Sequence, residues 1–264
     1  MDQTVENKAM RGMTSLKVSN IHHWTDRTFS FDCERPASFR FRSGEFVMIG
    51  LVVDGKPLLR AYSMASPSWD DELEFYSIKV EDGPLTSRLQ HLKEGDEIVM
   101  RPKPVGTLVH DALLPGKRLF LFSTGTGIAP FASVIRDPET YEKFERVVLT
   151  QTCRDTHELD YARHLMEGIR THEFLPEIIG DKLTLISTTT REESPQMGRM
   201  TDWIRDGRLG DVVGGGLDPA TDRVMICGSM AMLQEHKAIC EGLGFVEGSN
   251  SEPGQFVIEK AFVD

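Results

Sequence analysis

Apolar positions in the first hundred residues come in short runs, several alternating with polar ones: Leu16–Ile21, Thr28–Asp32, Phe46–Val53, Leu59–Ala65, Leu73–Val80 and Glu97–Arg101. A side-chain period of two marks strands with one buried face. Turn formers separate the runs, at Gly44, Asp54-Gly55, Pro67-Ser68 and Glu94-Gly95-Asp96. Short strands at this spacing predict a closed antiparallel barrel. One stretch breaks the pattern: Leu85, Leu89 and Leu92 recur at helical spacing just after Gly83-Pro84, which predicts a helix there.

The second half is patterned differently. Leu119–Ser123, Arg146–Thr152, Leu183–Thr188 and Arg223–Cys227 are compact apolar runs, each followed by a helical stretch. Continuous apolar strands alternating with helices predict a parallel sheet covered on both faces. Pro102, Pro104, Gly106, Pro115 and Gly116 cluster between the halves. The expected class is therefore β + α/β, with a barrel over residues 1–112 and an α/β unit over 113–264. No internal repeat or low-complexity segment interrupts this plan.

Charge narrows the function. Over 264 residues, 30 Lys and Arg stand against 41 Asp and Glu, a formal charge of −11. Nucleic acid is a poor partner for such a chain, because phosphate binding needs a basic face. The excess is uneven: the first 112 residues carry 14 basic and 17 acidic side chains, the remainder 16 and 24. No apolar run approaches a membrane span. The start, Met1-Asp2-Gln3-Thr4-Val5-Glu6, has acids where a signal peptide needs cations, so a cytoplasmic location is expected; a monomer is a separate expectation. Cys33, Cys153, Cys227 and Cys240 form no CxxC pair, and His22-His23 is an isolated doublet, so no metal cluster is expected.

Chemistry concentrates in four segments. In Arg60-Ala61-Tyr62-Ser63, a strand-borne guanidinium offers a fork suited to a pyrophosphate, and Tyr62 on the same face offers a flat stacking surface. Tyr76-Ser77-Ile78-Lys79-Val80 leads through Gly83-Pro84-Leu85-Thr86-Ser87 into the expected helix start, a second phosphate-side contact. Gly125-Thr126-Gly127-Ile128 follows an apolar strand and precedes a helix carrying Pro130 near its start, which lets backbone approach another pyrophosphate. Finally, Cys227-Gly228 ends a late strand. A thiol there packs as a small hydrophobe and is not assigned nucleophilic work.

Together these segments resemble the ferredoxin–NADP reductase family, in particular its bacterial flavodoxin/ferredoxin branch. The carrying motifs are R-x-Y-S-x-A-S, then G-P-L-T-S, then G-T-G-I-A-P-F and a late C-G, and the resemblance spans nearly the whole chain. It implies a six-stranded FAD-binding barrel followed by an NADP-binding parallel-sheet unit. By resemblance, Arg60, Ala61, Tyr62, Ser63, Tyr76, Ser77, Ile78, Lys79, Val80, Gly83, Leu85, Thr86 and Ser87 hold FAD. Gly125, Thr126, Gly127, Ile128, Cys227 and Gly228 face the nicotinamide nucleotide. Arg154, Arg191 and Arg199 are the expected partners of its 2′-phosphate, which needs a cation where NAD sites use a carboxylate. Asp155 and Glu192 beside them leave NAD as an alternative. Near the end, Ala261 stands where the plant-type branch has an acid, and Phe262 is the expected shield of the flavin's second face. The chain stops soon after, where some bacterial members continue towards the adenine.

The implied activity is hydride transfer between NADPH and FAD, with single electrons passing to ferredoxin or flavodoxin. Tyr62, Ser63, Cys227, Ala261 and Phe262 are expected at the reacting rings. Arg40, Arg42, Lys56, Lys79, Arg88, Arg101 and Lys103 could supply a basic rim for an acidic carrier. Two rivals share the cofactor sites: a reductase of free flavin, quinone or ferric chelate, and an electron-transfer subunit of a larger complex.

Overall fold

The computed structural model describes residues 12–260. Its first half is a six-stranded antiparallel sheet built from β1 (Thr14–His23), β2 (Thr28–Glu34), β3 (Phe46–Val53), β4 (Lys56–Ser63), β5 (Glu72–Ile78) and β6 (Glu97–Met100). The order is β4-β3-β6-β1-β2-β5, so β4 and β5 are the free edges. A bridge between Met64 and Phe75 joins them and closes the barrel, which removes the exposed edges. Inward residues form one core from Val18, Phe29, Phe31, Val47, Ile49 and Phe75.

Leu85, Leu89 and Leu92 all bury in that core, but helix α1 (Thr86–Leu89) is a single turn. The helical spacing located the apolar face and overstated the length. Leu92 is instead carried inward by a turn whose Leu92 N–H donates to Leu89 O at 3.1 Å.

The second half is a five-stranded parallel sheet in the order β11-β10-β7-β8-β9. Its strands are β7 (Arg118–Thr124), β8 (Arg146–Cys153), β9 (Leu183–Thr189), β10 (Asp222–Gly228) and β11 (Phe256–Lys260). The helices between them are α2 (Ala129–Ile135), α3 (Pro138–Lys143), α4 (Asp160–Thr171), α5 (Leu175–Ile179), α6 (Met200–Arg205), α7 (Arg208–Val213) and α8 (Met230–Gly242). Alternate residues of one strand feed two separate cores. Leu119 and Leu121 pack with α2 and α4, whereas Phe120 and Phe122 pack with α6, α7 and α8. Burial on both faces explains the continuous apolar runs. β11 was not anticipated. Leu108, Val109, Ala112 and Leu113, in the segment joining the halves, join the core beneath α2 and α4.

The chain runs from β7 outward to β9 and then crosses back to β10 on the other side of β7. The carboxyl ends of β7 and β10 therefore flank a topological switch point, where open parallel sheets bind ligands.

A second set of contacts fixes the halves to each other. Tyr76 of β5 stacks on Tyr161 of α4, with centroids 4.0 Å apart and planes 7° off parallel. Tyr161 donates to Glu74 Oε1 at 2.8 Å. Arg136, at the end of α2, meets Glu74 Oε2 at 2.8 Å and Ala65 O at 2.6 Å. One barrel carboxylate thus receives two donors from the parallel-sheet half.

Candidate functional site

Two cavities meet at the switch point. The first, about 530 Å³, opens between β4, β5 and the α1 turn. Arg60, Ala61, Tyr62, Ser63, Tyr76, Ser77, Ile78, Val80, Gly83, Leu85, Thr86 and Cys227 all line it, so the sequence reading named most of its wall. The Tyr62 hydroxyl lies 3.0 Å from Ser77 Oγ, and the ring is braced edge-on against Phe75. Burial raises the Tyr62 phenol above its ordinary pKa, so it stays protonated. Among the described residues Arg60 has no carboxylate partner; its Nη1 donates to Leu59 O at 2.9 Å. A guanidinium facing a cavity without a counter-ion suits an anion.

Two expected members lie elsewhere. Lys79 turns away, its Nζ donating to Thr25 O at 2.7 Å. Ser87 is absent from the wall, and its N–H is engaged by Gly83 O at 3.1 Å within the turn. Ala261 and Phe262 lie outside the described residues.

The second cavity, about 400 Å³, runs over the carboxyl ends of the parallel strands. Gly125, Thr126, Arg154 and Arg199 line it as expected. Gly127, Ile128, Gly228 and Arg191 do not. Gly127 and Gly228 are packed out of the wall: a Cβ on Gly127 would stand 2.4 Å from Cys227 O, and one on Gly228 2.3 Å from Thr124 Oγ1. Ile128 is buried in the core. Arg191 is exposed and donates its N–H to Arg154 O at 3.0 Å. Gly125 differs from Gly127 in its demand, since it has φ +53° and no atom within 4 Å of a Cβ. The loop is thus pressed against β10 at Gly127 and open at Gly125.

Tyr76, Ile78 and Thr126 line both cavities, which therefore adjoin one another. Sequence reasoning missed several walls of the second: Arg27 from the β1–β2 turn, and Thr201, Glu235 and His236. His236 Nδ1 lies 2.9 Å from Met232 O, leaving a buried Nε2 without a partner among the described residues. Burial takes this imidazole down to about 4, so it is neutral and Nε2 is an acceptor on the cleft wall. These contributors lie outside any contiguous motif, and only the fold assembles them.

Cys227 lines the first cavity but is 1% exposed, and burial, with Glu259 adding, drives its thiol well above the ordinary range. Its sulfur packs in the core beneath α2 and α4. All four cysteines are buried, and no cluster of His, Cys, Asp and Glu suited to a metal occurs among the described residues. Of the suggested basic rim, Arg42 is tied to Glu45 and Asp111 at 2.8 and 3.1 Å.

Two residues before Ala261 stands a partly buried acid, Glu259, which lines neither cavity. Glu259 pairs with Cys227 across β10 and β11. Its Oε2 accepts from the Thr107 N–H at 3.0 Å. Burial pushes its carboxyl up to about 7, outweighing the lowering by Thr107. A raised folded value means that ionisation costs stability, from the ordinary Glu range upward and fully above about pH 7. Glu259→Gln is accordingly expected to melt higher than wild type at pH 8, by about 2 kcal/mol, and to match it near pH 4.5. Thermal melts at the two pH values check this.

A barrel cavity floored by tyrosines, opening onto a nucleotide cleft at a sheet's switch point, defines a two-cofactor oxidoreductase. Comparison with known proteins agrees. Residues 15–110 match an oxidoreductase FAD-binding domain and residues 121–238 an oxidoreductase NAD-binding domain. The chain is 57% identical over 248 residues to the flavodoxin/ferredoxin–NADP reductase of Rhodobacter capsulatus, covering 93% of this chain and 92% of that one. It is 51% identical to the ferredoxin–NADP reductase of Pseudomonas aeruginosa, covering 97% and 100%. A crystal structure of a ferredoxin NADP+ reductase from Neisseria gonorrhoeae with bound FAD and NADP superposes with a TM-score of 0.86 at 27% identity, covering 95% and 99%. The chain belongs to the flavodoxin/ferredoxin–NADP reductase family.

Proposed function

We propose that the protein passes reducing equivalents between NADPH and ferredoxin or flavodoxin by way of FAD. The observation that carries this is that Tyr76, Ile78 and Thr126 line both cavities, so that a ring in one would lie beside a ring in the other. The residues fit the groups. The first cavity offers aromatic faces and an uncompensated guanidinium, and the second offers an open glycine backbone and two arginines. Bound FAD would supply the conversion between two-electron and one-electron transfer.

The chain's own residues do the rest by position. Arg60 neutralises pyrophosphate charge, with Thr86 on the facing turn. The Tyr62–Ser77 hydrogen bond holds the tyrosine ring at a fixed tilt, so that it seats the flavin. Gly125 and Thr126 admit the nucleotide's backbone-facing side, and Gly127 keeps the loop against Cys227. Arg154 and Arg199 take the 2′-phosphate. Their expected competitors are already engaged: Asp155 caps the turn after β8, and Glu192 accepts from Thr156 N–H and Oγ1 at 2.6 and 2.8 Å. This favours NADPH over NADH. Burial raises the Glu259 carboxyl to about 7 beside the β10 end, so it is partly protonated near neutrality.

On this reading the chain divides near residue 112 into flavin and nucleotide units and works as a single copy in the cytoplasm. Among the described residues no helix is long and apolar enough to cross a membrane. Steady-state turnover with NADPH tests the acceptor. Faster reduction of ferredoxin or flavodoxin than of free FMN supports the reading, and the reverse order supports a diffusible-acceptor reductase.

A further inference from the structure

Four carboxylates lie near the arginines of the nucleotide cleft, and three are committed to backbone. Asp155 and Glu158 form a reciprocal capping box at the turn after β8. Glu158 Oε2 also accepts from the Arg154 N–H at 2.7 Å. Glu192 is held by Thr156, which lowers its carboxyl below the usual range. Glu235 of α8 differs. Its Oε1 meets Arg199 Nη1 at 3.3 Å, and its Oε2 accepts from Thr201 Oγ1 at 3.0 Å. All three side chains line the cleft.

We infer that Glu235 is a specificity-determining residue, an internal stand-in for the 2′-phosphate that holds Arg199 until the nucleotide displaces it. The inference rests on the NADPH reading above and adds to it the group that sets how strongly a phosphorylated ribose is preferred.

The pair is a poor stability element. The Arg199 side chain is 67% exposed and that of Glu235 37%, and ion pairs so exposed contribute little to folding. Its effect falls on the ligand instead. A 2′-phosphate reaching Arg199 brings a second anion beside the Glu235 carboxylate, and like charges at that spacing repel. A 2′-hydroxyl meets the opposite situation, because a carboxylate is the acceptor that nucleotide sites use for ribose hydroxyls. Glu235 therefore weakens binding of the phosphorylated ribose and favours the plain one, against the preference set by Arg154 and Arg199. Thr201 fixes the carboxylate in place through Oε2, which leaves Oε1 as the oxygen that is exchanged.

The test is Glu235→Gln, which removes the charge and leaves an amide oxygen for Thr201. Calorimetry compares adenosine 2′,5′-bisphosphate with adenosine 5′-monophosphate on wild type and variant. The expected result is a three- to tenfold tightening for the bisphosphate, none for the monophosphate, and a smaller gain in high salt. The KM for NADPH falls by a similar factor, an improvement that loss of a merely structural contact would not give. A variant that binds the bisphosphate no tighter than wild type, or tightens both ligands equally, overturns the inference. Wild-type protein that does not prefer the bisphosphate overturns the NADPH reading itself, a result visible before the variant is made.

Discussion

Arg60→Ala is expected to release FAD while leaving the fold intact. The guanidinium faces the cavity from β4 with only the neighbouring Leu59 carbonyl as partner, so its removal strands no buried carboxylate in the protein. What is lost is a charge-assisted fork to a pyrophosphate. Truncating one side of such a pair costs about 2–3 kcal/mol at a half-buried site, or about 30- to 150-fold in Kd. Arg60→Lys keeps the charge without the planar fork and should fall between. Titration of apoprotein with FAD, followed by flavin fluorescence, measures all three proteins. An unchanged Kd in Arg60→Ala would remove this residue from the flavin site.

Gly127→Ala is expected to damage turnover far more than Gly125→Ala, although the two glycines stand two residues apart. An alanine Cβ at 127 would meet Cys227 O at 2.4 Å and Cys227 C at 2.8 Å, both backbone atoms of a central strand that cannot swing aside. The loop must retreat, at about 1–3 kcal/mol of overpacking. Thr126, which lines both cavities, retreats with it. Displacing a positioning element by about 1 Å can cost roughly 100-fold in rate. At 125 a Cβ meets nothing, and the cost is confined to the left-handed backbone, about 1 kcal/mol. NADPH-dependent reduction of the flavin, followed by stopped flow, separates the two. Equal rates would mean that the approach to β10 does not set the geometry.

The architecture was legible because burial wrote itself into the pattern. Alternation marked the barrel strands, and continuous runs marked β7 to β10, which bury both faces. β11 escaped notice because only Phe256, Val257 and Ile258 follow Gly254-Gln255 before charge resumes. The flavin-side wall was readable since β4 and β5 deliver it in two contiguous segments. The nucleotide cleft was less so: its wall gathers Arg27, Thr201, Glu235 and His236 from the barrel and two helices, a convergence that only the tertiary fold creates. Lys79 and Ser87 were assigned by their place in a motif, but the Lys79 side chain is drawn off to the Thr25 carbonyl, and the Ser87 backbone N–H is used by Gly83 O within the turn. Glu259 was missed for a related reason. Its raised pKa comes from burial among Thr107, Glu45 and Cys227, none of them near it in sequence.

The central claim is that two flat ring systems, one in each cavity, meet across Tyr76, Ile78 and Thr126. Anaerobic addition of NADPH to the FAD-loaded protein tests it most directly. The account predicts that the yellow flavin's visible bands bleach within the mixing time of a stopped-flow instrument or shortly after, and that NADH bleaches them more slowly at equal concentration. Protein that binds FAD yet keeps its colour in excess NADPH would contradict it.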